Sequence, residues 1–410
     1  MSEGGSNYYR KGLGMRGEIL PALEHDYRSA LVDYLRTHGR RLKCDDTTVV
    51  LAREFGFCYG VDRAVEYAYE ARLRFPDKRI FITGEIIHNP WVNQRLQEMG
   101  IRRLPPPGSP GDRFAGLRRE DVALIPAFGI EQEELRRLRE LGAILVDTTC
   151  GSVLNVWKAV ARYARQDRTS IIHGKVEHEE TRATCSQVLL HGGEYVVVRD
   201  LDQARRICAF IEGRADLDGL LSDLRSATSP GFDPRRHLER IGLANQTTML
   251  SSESLRIAEA LRASFEARHG EDGAAERFAS FETICSATQD RQDAVEELLQ
   301  ESPDLLLVIG GFNSSNTAHL VEIGRGRAST YHVQSSRDLI SGRWIRHKPL
   351  GDPDPVVEGG WLPPGPILVG LTAGASTPNS EIGRTIERLL GFRGIEAARI
   401  ANLIAGEEQR

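Results

Sequence analysis

The stretch Asp304-Leu-Leu-Leu-Val-Ile309, followed by Gly310-Gly-Phe-Asn-Ser-Ser-Asn316, reads as an apolar strand ending in a turn of small and hydroxyl-bearing residues that opens a helix. Ile367–Thr372 repeats the pattern, leading to Ala373-Gly-Ala-Ser-Thr-Pro378 and a final helix. Upstream, Thr47–Ala52 leads to Glu54-Phe-Gly-Phe-Cys-Tyr-Gly60, and Arg79–Thr83 leads to His88-Asn-Pro90. Asp121–Pro126 leads to Phe128-Gly129 and a charged helix over Gln132–Leu141, and Ala143–Asp147 leads to Thr148-Thr-Cys150. Ser170–His173 precedes Gly174 and His178-Glu-Glu180, Arg240–Asn245 precedes Gln246-Thr-Thr248, and Ser280–Cys285 precedes a helix over Gln289–Glu301. Strands alternating with amphipathic helices predict an α/β fold with mostly parallel sheets. Ligands of such folds gather at the carboxyl ends of the strands, where nearly every unusual polar residue of this chain falls.

The chain has 410 residues, enough for two to four domains, and its 40% apolar and 27% charged residues are an ordinary soluble composition. The net charge of −5 argues against a general nucleic-acid binder. No apolar run approaches the roughly 20 residues of a membrane span. The N-terminal stretch lacks the apolar core of a signal peptide, which makes a cytoplasmic location the expectation. The six cysteines form no C-x-x-C pair and no zinc-finger spacing, so a shared site has to be assembled from distant segments.

Cys58, Cys150 and Cys285 each follow a strand-like run and stand at or near a helix start. A helix N-terminus offers partial positive charge and unpaired N–H groups, which favour a thiolate. Three such thiolates would hold a [4Fe–4S] cluster and leave one iron open. The competing reading of any one of them is an inert core cysteine, and that reading is kept for Cys44, Cys185 and Cys208, which lack this setting.

Asn313-Ser-Ser-Asn316 and Gly374-Ala-Ser-Thr-Pro378 offer hydroxyls and free N–H groups at helix starts, as a phosphate requires, although Ser and Asn there are also ordinary caps. His88 and His178 add imidazoles. A buried Glu180 beside a bound anion could hold a proton near neutral pH, with Gln246-Thr-Thr248 as a relay; otherwise it is an acidic helix start. No Walker A loop or dinucleotide fingerprint is present.

Taken in order, Gly56-Phe-Cys-Tyr-Gly-Val61, Glu85-Ile-Ile-His-Asn89, Asp147-Thr-Thr-Cys150, His178-Glu-Glu180, Asn245-Gln-Thr-Thr248, Thr283-Ile-Cys285, Asn313-Ser-Ser-Asn316 and Thr372-Ala-Gly-Ala-Ser376 resemble the motifs of the 4-hydroxy-3-methylbut-2-enyl diphosphate reductase family. The resemblance runs from about Tyr8 to about Leu390, and Tyr8-Tyr-Arg-Lys-Gly12 is similar to the plant and cyanobacterial subgroup. It implies three similar α/β domains with mostly parallel sheets around a central [4Fe–4S] cluster. Cys58, Cys150 and Cys285 match its ligands; His88, His178, Ser314, Asn316 and Ser376, with Ser315 beside them, match the diphosphate contacts. Glu180 matches the proton-supplying acid and Thr247 the threonine near the substrate hydroxyl. The implied reaction takes two electrons and two protons, releases water, and yields isopentenyl and dimethylallyl diphosphates. The implied electron donor is an external ferredoxin or flavodoxin, and the substrate is an allylic diphosphate, with no nucleic-acid or membrane partner.

The expected boundaries are an extension over 1–45, domains over 46–149, 150–284 and 285–378, an irregular insert near 214–240, and a segment 379–410 packing on the first domain. Phe128 stands where many bacterial members carry a histidine, with Lys175 or His173 as candidate substitutes, and Gly151 stands where many have proline. Two other readings stay open: a metal-free transferase or hydrolase with Cys58 or Cys150 as nucleophile, and a non-catalytic iron–sulfur sensor.

Overall fold

In the computed structural model, which describes residues 7–224, 227–281 and 283–406, Leu305–Ile309 is a strand buried at every position. Its alternation serves two faces. Leu305, Leu307 and Ile309 pack with Leu31, Leu35, Ile382 and Ile386, while Leu306 and Val308 pack with Val295, Leu298 and Leu320. Helices thus cover both faces, which is why the strand reads as one unbroken apolar run. Each fully buried leucine contributes about 2 kcal/mol by area transfer.

Ser329–Val333 and Ile367–Ala373 flank this strand in parallel. Ile367–Ala373 pairs in turn with Thr47–Leu51, also in parallel, and Arg41–Cys44 closes the edge antiparallel. The described residues of 14–73, 87–96 and 286–410 form one compact unit around this five-stranded sheet.

The described residues of 1–13, 74–86 and 97–285 form the other unit, which holds two parallel sheets. One runs Tyr8–Tyr9, Ile144–Asp147, Val122–Ile125, Ile80–Ile82, Ile101–Arg103. The second runs Phe278–Ser280, Ile241–Asn245, Thr169–His173, Tyr195–Val198. Ile171, Val196, Val198 and Leu243 pack on one face of this second sheet with Ile207, Ile257 and Phe265; Ile172, Val197 and Ala244 pack on the other with Val156, Val160 and Val188.

The α/β class with mostly parallel sheets is as the sequence indicates, but the boundaries differ. Thr47–Leu51 belongs to the sheet of Leu305–Ile309, not with Ile80–Ile82, so the stretch expected as one domain over 46–149 is divided between the units. Within the stretch expected as an extension, Arg16–Tyr27 and Ala30–Thr37 are helices, and Leu31, Val32 and Leu35 are buried against the same sheet. The helix Asn379–Phe392 packs there too. Residues 1–6 and 407–410 lie outside the described residues. The insert is largely ordered by its apolar positions: Leu217–Leu224 is helical with Leu220 and Leu224 buried, and Asp233 caps the short helix Pro234–His237. No described helix is long and apolar enough to cross a membrane.

Candidate functional site

In the two-sheet unit, Glu180 lies in the first turn of the helix Glu179–Leu190 and is 1% exposed. Burying a carboxylate is costly unless its oxygens are hydrogen-bonded. Thr247 supplies two of those bonds: its backbone N–H donates to Oε1 at 2.6 Å and its hydroxyl pairs with Oε2 at 2.9 Å. The Thr247 turn is itself fixed. Gln246 Oε1 accepts from the Lys175 N–H and the Thr181 hydroxyl, both at 3.1 Å, and the Asn245 N–H donates to Thr283 Oγ1 at 2.7 Å. Gly174 gives the close approach this packing needs, since a Cβ there would come within 2.8 Å of Thr181 Oγ1.

His178 is the N-cap of the same helix, and its Nδ1 accepts from the Glu180 N–H at 3.1 Å. An Nδ1 that accepts leaves the imidazole proton on Nε2, which makes that nitrogen the ring's donor. The ring meets Phe128 edge-on, with centroids 5.6 Å apart. Phe128 therefore walls the histidine already present. His173 does not stand in as a surface cation: it is fully buried with Nδ1 2.7 Å from Ser254 Oγ. The Phe128 turn is tied to the second cysteine, Cys150, whose N–H donates to the Ala127 carbonyl at 2.9 Å. Gly129 makes this turn with φ +86° beneath the Trp157 ring.

Cys150 is the N-cap residue of the helix Gly151–Arg165 and makes no side-chain cap hydrogen bond. A Cβ at Gly151 would meet nothing within 4 Å, so no steric demand explains glycine in place of proline there. Cys285 closes this group: its N–H donates to the Thr247 carbonyl at 3.3 Å. Cys150, Phe128, His178, Glu180, Thr247 and Cys285 are thus joined by a continuous series of contacts at the carboxyl ends of two sheets.

The unit around the five-stranded sheet assembles the remaining candidates. The Cys58 N–H donates to the Ala375 carbonyl at 3.2 Å, and the Cys58 carbonyl accepts from Asp62 at the start of the helix Tyr59–Arg74. Gly56, at φ +74°, turns its carbonyl to the buried Arg291, whose Nη2 donates to it at 2.6 Å. Ser376 Oγ donates to the His88 carbonyl at 3.1 Å, and Asn313 Nδ2 lies 3.3 Å from His88 Nδ1. Ser314 caps the helix Ser315–Gly324 through Thr317, and Ser315 is buried in its first turn. Asn316 Oδ1 accepts from the Ala375 N–H at 2.9 Å, which fixes the amide, and its Nδ2 is buried without a partner among the described residues. A buried orphan donor at a helix start, among serine hydroxyls, is what an anion would satisfy.

Every candidate read from the sequence therefore stands at a strand-to-helix turn in one unit or the other. The cysteines separate by environment. Cys58, Cys150 and Cys285 are partly exposed, whereas Cys44, Cys185 and Cys208 are buried in core clusters. Burial pushes the Cys185 thiol up to about 12. Among the described residues no three His, Cys, Asp or Glu side chains stand together as a metal site. The donor chemistry of the three partly exposed thiols on helix-start turns nonetheless fits an iron–sulfur cluster. Arg291 is not marked out by the sequence, and Asn313 is read there only as part of its turn, with no role of its own. Asn313 is separable from its neighbours only by its contact with His88, and Arg291 sits in a polar stretch that gives no sign of its burial.

These features define an α/β protein whose partly exposed thiols, buried acid and serine- and asparagine-bearing turns sit at strand carboxyl ends. The chain belongs to the LytB protein family, whose model matches residues 49–390. It is 45% identical over 388 residues to the 4-hydroxy-3-methylbut-2-enyl diphosphate reductase of Microcystis aeruginosa, covering 94% of this chain and 95% of that protein. The protein of the same name from Synechococcus sp. is 46% identical over 387 residues, covering 94% of this chain and 96% of that one. The solved structure of (E)-4-hydroxy-3-methyl-but-2-enyl diphosphate reductase, the terminal enzyme of the non-mevalonate pathway, is matched with a TM-score of 0.51 at 26% identity, over 84% of this chain and 99% of that one. The reductase structure from Plasmodium falciparum, at 19% identity and TM-score 0.61 over 88% of this chain and 99% of that one, shares the fold.

Proposed function

We propose that this chain is an oxidoreductase that removes the hydroxyl group of 4-hydroxy-3-methylbut-2-enyl diphosphate and yields isopentenyl and dimethylallyl diphosphates. The observation that carries this reading is the match, over nearly the whole of both chains, to relatives bearing that reductase name. Two electrons and two protons enter, the allylic C–O bond breaks, and water leaves. The electrons come from an external one-electron carrier such as a ferredoxin or flavodoxin.

Cys58, Cys150 and Cys285 would hold a [4Fe–4S] cluster, which supplies single electrons and a Lewis-acidic iron when bound. The diphosphate is remote from the reacting carbon, so its binding energy can orient the hydroxyl. Ser314, Ser315, Asn316 and Ser376 suit that role, because hydroxyls and the orphan Asn316 amide all offer hydrogen. His88 and His178 add imidazoles, His178 through its Nε2 proton.

Glu180 supplies the proton. When Oε2 is protonated, the 2.9 Å contact lets it donate to Thr247 Oγ1 while the Thr247 hydroxyl passes its own proton to the leaving oxygen. The Thr247 N–H stays on Oε1 throughout and keeps the carboxyl in one orientation. The test is anaerobic turnover of the substrate with a reduced viologen dye after iron and sulfide reconstitution, reading both C5 products. Their formation supports the reading; a fully reconstituted protein that forms neither would overturn it.

A further inference from the structure

The insert has no part in the chemistry above, yet it walls a cavity of about 360 Å³ in the two-sheet unit. The cavity lies at the amino end of the second sheet. Arg277 immediately precedes the strand Phe278–Ser280, and Leu238 and Glu239 lie just before Ile241–Asn245. Glu180 and Thr247 sit beyond the opposite ends of these strands, roughly 15 Å away for a five-residue strand. The floor is apolar, with Leu238 and Phe265 buried and Phe210 beside them. The rim is cationic: Arg235 comes from the insert, and Arg268 and Arg277 flank the break at Gly270, where φ is +74°.

The charge is poorly balanced. Glu239 is the one acid of the lining. Arg235 and Arg268 have no acidic partner among the described residues; Arg268 spends one Nη on the Ile211 carbonyl at 2.6 Å, and Arg277 has only a 3.5 Å contact with Glu276. Burial, then Arg277 and Arg268, holds the His269 imidazole below its ordinary value, against the opposing pull of Glu239. Guanidinium groups recognise phosphate oxygens through paired N–H donors, and an apolar floor favours a hydrocarbon. The volume is in the range of small-molecule sites.

We propose that this cavity is a second ligand site, which binds a small amphiphilic diphosphate ester: the diphosphate on Arg235, Arg268 and Arg277, the short hydrocarbon along Phe210, over the floor that Leu238 and Phe265 close. The site stands on its own lining and does not depend on the reductase reading.

The probe is n-pentyl diphosphate, a saturated ester that cannot be reduced, titrated calorimetrically into the full chain with inorganic diphosphate as comparison. The wild type is expected to show a binding event that the Arg235→Ala/Arg268→Ala/Arg277→Ala variant weakens about a hundredfold. Ser376→Ala should leave that event in place, and inorganic diphosphate should bind the cavity about tenfold more weakly or worse. A titration unchanged by the triple substitution would overturn the proposal, as would equal affinity for inorganic diphosphate. Should the triple variant fold poorly, phenylglyoxal labelling of the wild type decides: the ester should shield Arg235 and Arg268, and labelling indifferent to it would overturn the site.

Discussion

Thr247 grips the Glu180 carboxyl at both oxygens, with its N–H on Oε1 at 2.6 Å and its hydroxyl against Oε2 at 2.9 Å. The two residues are 67 positions apart in the chain, so the pairing is a product of the fold and depends on how the Asn245-Gln-Thr-Thr248 turn meets the helix Glu179–Leu190. The Thr247 carbonyl in turn accepts the Cys285 N–H at 3.3 Å, which ties this pair to the third cysteine's turn.

Glu180→Gln keeps the shape and loses the acid. Turnover should fall about 10²–10⁴-fold while substrate affinity changes little. Thr247→Ala should lower turnover less, and Thr247→Ser should restore most of it, because the backbone donor to Oε1 survives in both. Steady-state kinetics with separate kcat and KM check this; near-normal turnover in Glu180→Gln removes Glu180 from the acid role.

Phe128 acts through His178, whose ring it meets edge-on. Phe128→Ala removes that wall and frees the imidazole to rotate off its helix cap. KM for the diphosphate substrate should rise severalfold with a smaller change in kcat. Equal losses in both would place Phe128 in the chemical step instead.

His332 gives the fold a pH dependence. It is buried in the strand Ser329–Val333, with Nε2 3.1 Å from the Gly310 carbonyl, and burial pushes it down to about 4. A histidine depressed in the fold takes up its proton more readily when unfolded, so the folded state loses stability as pH falls from about 6.5 towards 4 and loses none above that window. The full effect is about 3 kcal/mol. Denaturant midpoints of the wild type should fall across this window, and those of His332→Gln should fall less. Parallel profiles would show that His332 is not the titrating group.

Much of this was legible in the sequence because the strand-to-helix turns carry their own signals. Most apolar runs end in a turn bearing Gly, Asn, Ser, Thr or Cys that opens a helix, and the candidate residues, His88, His178 and Glu180 included, sit in those turns. Pairing partners were not legible. Thr47–Leu51 joins Ile367–Leu371 across most of the chain, and a strand's apolar pattern shows that it is buried without showing beside what. Arg16–Tyr27 escaped notice because its residues are polar and Pro21 interrupts it, features that read as a loop. Arg291 escaped notice because an arginine among Gln and Asp looks solvated, whereas the Gly56 carbonyl draws it into the interior. Within the insert, Ser229-Pro-Gly-Phe-Asp-Pro234 drew attention to the turn, while the helix Leu217–Leu224 just before it went unread.

The reductase reading turns on three particular cysteines holding one cluster, and iron and sulfide content with an EPR spectrum probes this without intermediaries. Protein is purified without oxygen as wild type, as Cys58→Ala, Cys150→Ala and Cys285→Ala, and as Cys44→Ala, Cys185→Ala and Cys208→Ala for comparison. The expected result is a reducible four-iron cluster that each of the first three substitutions abolishes and none of the last three does, since those thiols lie in the core. Full iron in any one of the first three variants, or no iron in the wild type after anaerobic reconstitution, would contradict it.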